Sequence, residues 1–164
     1  MEGNSLFMNI IYFLVVPVLV PLVVSFLVNV WIEPKKEKIR GYNEKIDNLI
    51  LRLETICNKS ITYWSNSGRI VDVEAELKLG RISCHRQLLE INEGKNLSDY
   101  SFIEQNILNY FYKITSDDFE TQLRDVNEEK IESISLDFNN LAYLLNQKKI
   151  QFRVWNFLFE SINL

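Results

Sequence analysis

The sequence predicts an all-α protein: a short amino terminus and single transmembrane helix over residues 1–33, then an antiparallel cytoplasmic helical bundle of about four helices over 34–164. Three observations carry this. Leu6 to Ile32 runs for twenty-seven residues without a charge. Beyond it, apolar residues recur at alternating steps of three and four, the period of a helix with one buried face. The chain also has only five glycines and three prolines, and all three prolines lie in or beside the uncharged run, which leaves the rest without hairpin turn chemistry.

The uncharged run is long enough to cross a hydrocarbon core, which takes roughly 20 apolar residues in a helix. A cleaved signal peptide fits poorly, because the only preceding charge is Glu2 and no small-x-small site follows. The expectation is a retained anchor. Immediately after it come Lys35, Lys36, Lys38 and Arg40, with no basic residue before it. The positive-inside bias then places the amino terminus outside and the remainder in the cytoplasm of a bacterial inner membrane. The same four side chains are candidates for anionic lipid head groups. The two cysteines, Cys57 and Cys84, are widely spaced on helical patterns and read as buried and inert, in keeping with a reducing compartment. Two cysteines and one histidine are too few for a structural zinc site, so neither a metal nor a cofactor is expected.

Inside the span, Pro17 and Pro21 each lack a backbone donor and crowd the carbonyl one turn earlier, so a kink or loosening is expected near its middle. Asn9, Ser25 and Asn29 fall on a loosely similar side. Pro17, Pro21, Ser25 and Asn29 are therefore candidates for a surface facing other copies of the helix or a water-filled pore. The plainer reading is that the asparagines sit at the two membrane interfaces and the prolines are merely tolerated.

Trp31 suits the interface level, and Pro34 suits the first turn of the next helix. Ile39, Tyr42, Ile46, Leu49, Leu53 and Ile56 make that helix's stripe, widened by Ile50, Cys57, Ile61 and Trp64, and Ser65-Asn66-Ser67-Gly68 ends it. Asp72 is a candidate cap for a second helix, whose inner face is Val73, Leu77, Gly80, Cys84, Leu88 and Ile91. Gly80 and Cys84, small and four apart, would let another helix approach closely, and Glu93-Gly94-Lys95-Asn96 reads as its stop. Ser98 or Ser101 begins the third, Ser101 having capping-box spacing to Glu104, with Phe102, Ile103, Ile107, Tyr110, Phe111 and Ile114 as its stripe. Asp117-Asp118 reads as a break and a new helix start. The last stripe runs Ile131, Ile134, Phe138, Leu141, Leu145, Lys148, Phe152, Trp155, Phe159 and Ile162. Unbroken, it would be roughly 50 Å long, so it either kinks near Asn146 or extends to meet another chain. Phe152, Trp155 and Phe159 then cap the core or form an oligomer face.

The net charge of -4 argues against direct DNA binding. Acidic residues dominate from Leu97 to Asn140, among them Asp117, Asp118, Glu120, Asp125, Glu128, Glu129, Glu132 and Asp137. They make a solvated helix face or, more sharply, a docking surface for a basic protein partner. No Gly-rich phosphate loop, nucleophile elbow, paired-carboxylate signature or metal-ligand helix motif is present, and no catalytic residue is assigned. The one chemically suggestive pair is Arg81 and His85, four apart on one helix. A histidine in such a pair can serve as general acid or base; the plainer reading is a boundary histidine beside an ion-pairing arginine.

With one amino-terminal span, a short helical cytoplasmic part and the pair in Arg81-Ile82-Ser83-Cys84-His85, the layout resembles the small membrane accessory proteins of type VI-B CRISPR systems. The resemblance implies a HEPN-like helical domain, assembly into a membrane ring and a role in bacterial anti-phage defence. Three residues separate the pair here, where the HEPN pattern usually has four to six.

The functional expectation is a non-enzymatic, homo-oligomeric membrane protein that perturbs or permeabilises the bilayer when activated. A membrane-tethered module recruiting a partner through its acidic helices, a degenerate HEPN-type ribonuclease and a holin- or antiholin-like protein are the alternatives.

Overall fold

A computed structural model describes residues 12–13, 16–95, 97 and 99–151. These are helical, with no strand among them: α1 (Val16–Leu27), a wider π-helical stretch (Val28–Ile32), α2 (Glu33–Trp64), α3 (Val71–Lys95), α4 (Tyr100–Thr115) and α5 (Glu128–Gln147). The chain divides into two compact units, Met1–Gly41 and Tyr42–Leu164.

In the first unit, α1 buries no residue at all. Helical structure runs without interruption from Val16 to Trp64, and its apolar part is long and apolar enough to cross a membrane. Pro21 sits inside α1, where it cannot donate to the carbonyl one turn back. The departure from α geometry lies further on, at Val28–Ile32, where the Glu33 amide donates to the Val28 carbonyl five residues earlier. Asn9, expected with Ser25 and Asn29 on one side of this helix, lies outside the described residues.

In the second unit, α2 to α5 share one core built from the predicted stripes. α2 contributes Ile46, Leu49, Leu53, Ile56 and Trp64; α3 contributes Leu77, Cys84, Leu88 and Ile91; α4 contributes Ile103, Ile107, Tyr110, Phe111 and Ile114; α5 contributes Ile134, Leu141 and Leu145. Each such side chain removed from water contributes roughly 1.5–3 kcal/mol. Gly80 allows the close approach its size predicts: a Cβ there would lie 2.8 Å from Ile56 Cδ1. Both cysteines are buried and unpaired, as expected. Burial pushes both thiols up, Cys84 to about 12, so neither is a thiolate at neutral pH.

Several boundaries differ from expectation. α2 does end at Ser65-Asn66-Ser67-Gly68, with Gly68 in the left-handed region at φ 86°. α3, however, begins at Val71, so Asp72 sits in its first turn, and the Glu74 amide donates to the Ile70 carbonyl. It also runs through Gly94 to Lys95, after which Asn92 Oδ1 accepts from the Leu97 amide at 2.8 Å. α4 starts behind Asp99 (φ 65°), not at Ser101, and Ser98 lies outside the described residues. Glu104 is drawn instead to the Tyr100 hydroxyl, 3.1 Å away. Phe102 points outward, 57% exposed, because Ile103 and Ile107 already fill the inward face. Asp117 and Asp118 do not start a helix: Asp117 is left-handed at φ 58°, and residues 116–127 form an irregular strap. The cap of α5 is Asn127, whose side chain accepts from the Lys130 amide at 2.9 Å.

Among the described residues, the last helix, α5, stops at Gln147. Lys148 turns its amide back to the Leu145 carbonyl, and Asn43 grips the Ile150 backbone at both its N–H and its C=O, each at 2.9 Å. Ion pairs from Lys148 to Asp99 and from Lys149 to Asp47 hold the same turn. The expected break near Asn146 is thus present. Phe152, Trp155 and Phe159 lie outside the described residues.

Candidate functional site

The candidate positions of the apolar helix form one line. Pro17, Pro21, Ser25 and Asn29 recur every four residues, all exposed, and the Asn29 amide donates to the Ser25 hydroxyl at 3.4 Å. On a helix this spacing drifts slowly around one side, so proline gaps and polar side chains share a single stripe. The basic segment that follows is partly self-paired: Lys36 lies 3.5 Å from Glu33 and Arg40 lies 2.7 Å from Glu37. Exposed pairs of this kind are worth about 0–1 kcal/mol. Lys38 is exposed and Lys35 half-buried on the same turns.

The second unit does not join Arg81 to His85. Arg81 is exposed, whereas His85 is half-buried with Nδ1 3.5 Å from Glu104 of α4. Among the described residues no three His, Cys, Asp or Glu side chains gather as a metal site would require. Between α2 and α3 lies an open groove of about 640 Å³ lined by Leu51, Arg52, Thr55, Lys59, Glu76 and Leu79, among others. Its rim is fastened by hydrogen bonds from Arg52 to Ser83 and from Lys59 to Glu76.

One cluster was invisible to sequence reasoning. The strap after α4 is held to the end of α2 by two buried cations, Arg124 and Lys130. Arg124 donates to the Tyr63 and Asn66 carbonyls where α2 ends, and its guanidinium lies 3.7 Å from the Tyr63 ring centroid. Lys130 Nζ lies 3.9 Å over the Trp64 ring and donates to the Ser116 carbonyl (2.8 Å) and Asp117 (2.9 Å). The Tyr63 hydroxyl donates to Glu74 at 2.7 Å and accepts from the Glu120 amide at 3.0 Å, and Arg69 closes the network on Glu74 at 2.9 Å. The available signal was compositional: Arg124 and Lys130 are the only basic residues between Asp117 and Glu132.

This network consumes much of the expected acidic surface. Asp117 pairs with Lys130, Glu120 with Lys78 and Asp137 with Lys113. Asp125, Glu128, Glu129 and Glu132 remain exposed. Compared with protein-family models, curated proteins and solved structures, the chain matches none.

Proposed function

We propose that this protein is a membrane-anchored helical module that works by self-association, copies meeting through the stripe Pro17, Pro21, Ser25 and Asn29 so that activation perturbs or permeabilises the bilayer. The observation that carries the reading is that stripe: on a helix that buries nothing, every fourth position is a proline or a hydrogen-bonding side chain. In hydrocarbon, apolar surface gives helices little reason to associate, whereas a polar side chain or an unpartnered carbonyl does. The anchor lies in a bacterial inner membrane with its basic flank, Lys35 to Arg40, and the helical domain on the cytoplasmic side. A role as an anti-phage defence effector or accessory belongs to the same proposal.

The test is the full chain carrying Pro17→Ala, Pro21→Ala and Asn29→Ala together, expressed in cells whose membrane potential is followed by dye release. Depolarisation seen with the natural chain and lost in the triple variant is the expected result. Unchanged depolarisation at equal membrane abundance rejects the stripe as the working surface.

A second reading has its own observation. Asp125, Glu128, Glu129 and Glu132 form an exposed acidic end to α5 that suits a basic partner. Binding of that kind would weaken steeply between low and high salt, since exposed charges are screened within about 8 Å at physiological ionic strength.

A further inference from the structure

Two helices of the second unit carry an outward face as well as an inward one, and the two outward faces complement each other. α3 turns Leu77, Cys84 and Leu88 to the core, yet its opposite side is also apolar: Leu79 and Ile82 are 65% and 60% exposed, and Leu89 continues the line beyond Arg86. The positions 79, 82, 86 and 89 step by three and four, so they form one stripe. Arg86 brings positive charge to this side of α3, and it has no partner among the described residues. α5 presents the converse. Its outward line runs Glu129, Glu132, Leu136 and Tyr143, with Leu136 60% and Tyr143 64% exposed and the two glutamates exposed as well.

We propose that copies of this protein assemble head to tail, the α3 face of one (Arg86, Leu89) seated on the α5 face of the next (Glu132, Leu136). The proposal rests on the self-association reading above and names a second contact for it, outside the apolar helix. Charge selects the pairing. Two α3 faces packed in parallel register would oppose Arg86 to Arg86, and two α5 faces would oppose Glu132 to Glu132, whereas α3 on α5 pairs unlike charges. Register agrees. Arg86 to Leu89 and Glu132 to Leu136 are each about one helical turn, so a parallel packing that sets Arg86 against Glu132 also sets Leu89 against Leu136. Unlike faces that meet in this way are heterologous, and such contacts close into a ring or run on as a filament instead of stopping at a pair.

The experiment uses the full chain in mild detergent, with assembly read by native mass spectrometry. Arg86→Glu and Glu132→Arg are each expected to weaken assembly about tenfold or more. Both changes in one chain restore it, because every copy then offers the swapped charge on each side. Both positions are exposed, so circular dichroism of each variant should match the natural chain. Separately, a chain with Leu89→Cys is mixed with one carrying Leu136→Cys and treated with a short bismaleimide. The expected adduct joins the two different chains and is absent from either variant alone. An adduct confined to two Leu89→Cys chains shows a symmetric α3 pairing and overturns the proposal. A natural chain that assembles but ignores both charge changes, with no mixed adduct, overturns this surface and leaves association through the apolar helix standing. A natural chain that is monomeric overturns both.

Discussion

The two units use the same residue types in opposite ways. From Val16 to Ile32 nearly every position is apolar and none is buried, so the helix has no inside. From Tyr42 to Gln151 the apolar residues are rationed, and most of them disappear into one core. Hydrophobic content therefore says little about burial by itself; how it is distributed around the helix decides. A helix apolar all round asks for lipid or other spans, whereas a helix apolar on one side asks for a neighbour in its own chain. α3 stands between these cases, with a core face and a second, thinner apolar line outside.

The comparison can be broken at its strongest point first. Phe111→Ala removes a fully buried ring from the core and is expected to cost about 3–5 kcal/mol of stability in the second unit, read by denaturant unfolding. An equally drastic truncation in α1, Phe26→Ala, should leave that unfolding midpoint unmoved, since Phe26 is 61% exposed. Next in size, Leu19→Arg places a charge in the apolar helix at a cost of about 2.5–3.5 kcal/mol if it lies mid-membrane, and should lower the membrane-extracted fraction without altering the core. Gly80→Leu sharpens the picture of α3. It forces side-chain atoms toward Ile56 and should cost about 1–3 kcal/mol, partly relieved by Ile56→Ala.

The smallest effect is electrostatic. The Lys130 ammonium beside Asp117 and the Lys78 ammonium beside Glu120 hold both carboxyls below the usual carboxylate range. A depressed folded pKa gives stability that is present above the unfolded value and lost as pH falls through the folded one. The strap should therefore loosen only in acid, below about pH 4, with a modest change because both carboxylates face solvent. Amide exchange over residues 116–127 at pH 7 and at pH 3 would show it, and equal protection at the two values would remove these pairs from the account.

Legibility followed the range of the interactions. The stripe Ile46, Leu49, Leu53 and Ile56 could be read directly because helix period and burial are the same fact seen twice. Gly80 was legible for a similar reason: a missing side chain on a core face implies a close neighbour. Helix starts were less so. Asp99 enters α4 in a left-handed conformation with no side-chain cap, and nothing in Ser98-Asp99-Tyr100-Ser101 distinguishes that from a serine cap. Of the buried Arg124 only its isolation among acidic residues was legible, not its role. Its partners are carbonyls of Tyr63 and Asn66, some sixty positions earlier, and a carbonyl has no letter in the sequence. Arg81 and His85 were legible as a local pair, yet Glu104 on another helix is what faces His85. A break near Asn146 could be read from the overlong stripe, but not what fixes it: Asn43, distant in sequence, holding the Ile150 backbone.

That clamp has a mechanical meaning. Asn43 grips Ile150 at both polar atoms of its backbone, a hundred and seven positions away, only eleven residues after the apolar run ends at Ile32. A pull applied between the apolar helix and the chain beyond Gln151 would travel through residues 33–43 and across this bridge, and the hundred or so residues folded between its two sides would carry none of the load until it parted. The tension at which the chain first yields is thus set by these two hydrogen bonds. A force-extension trace should show a small early rupture ahead of the larger one from the core, and Asn43→Ala should erase the first and spare the second.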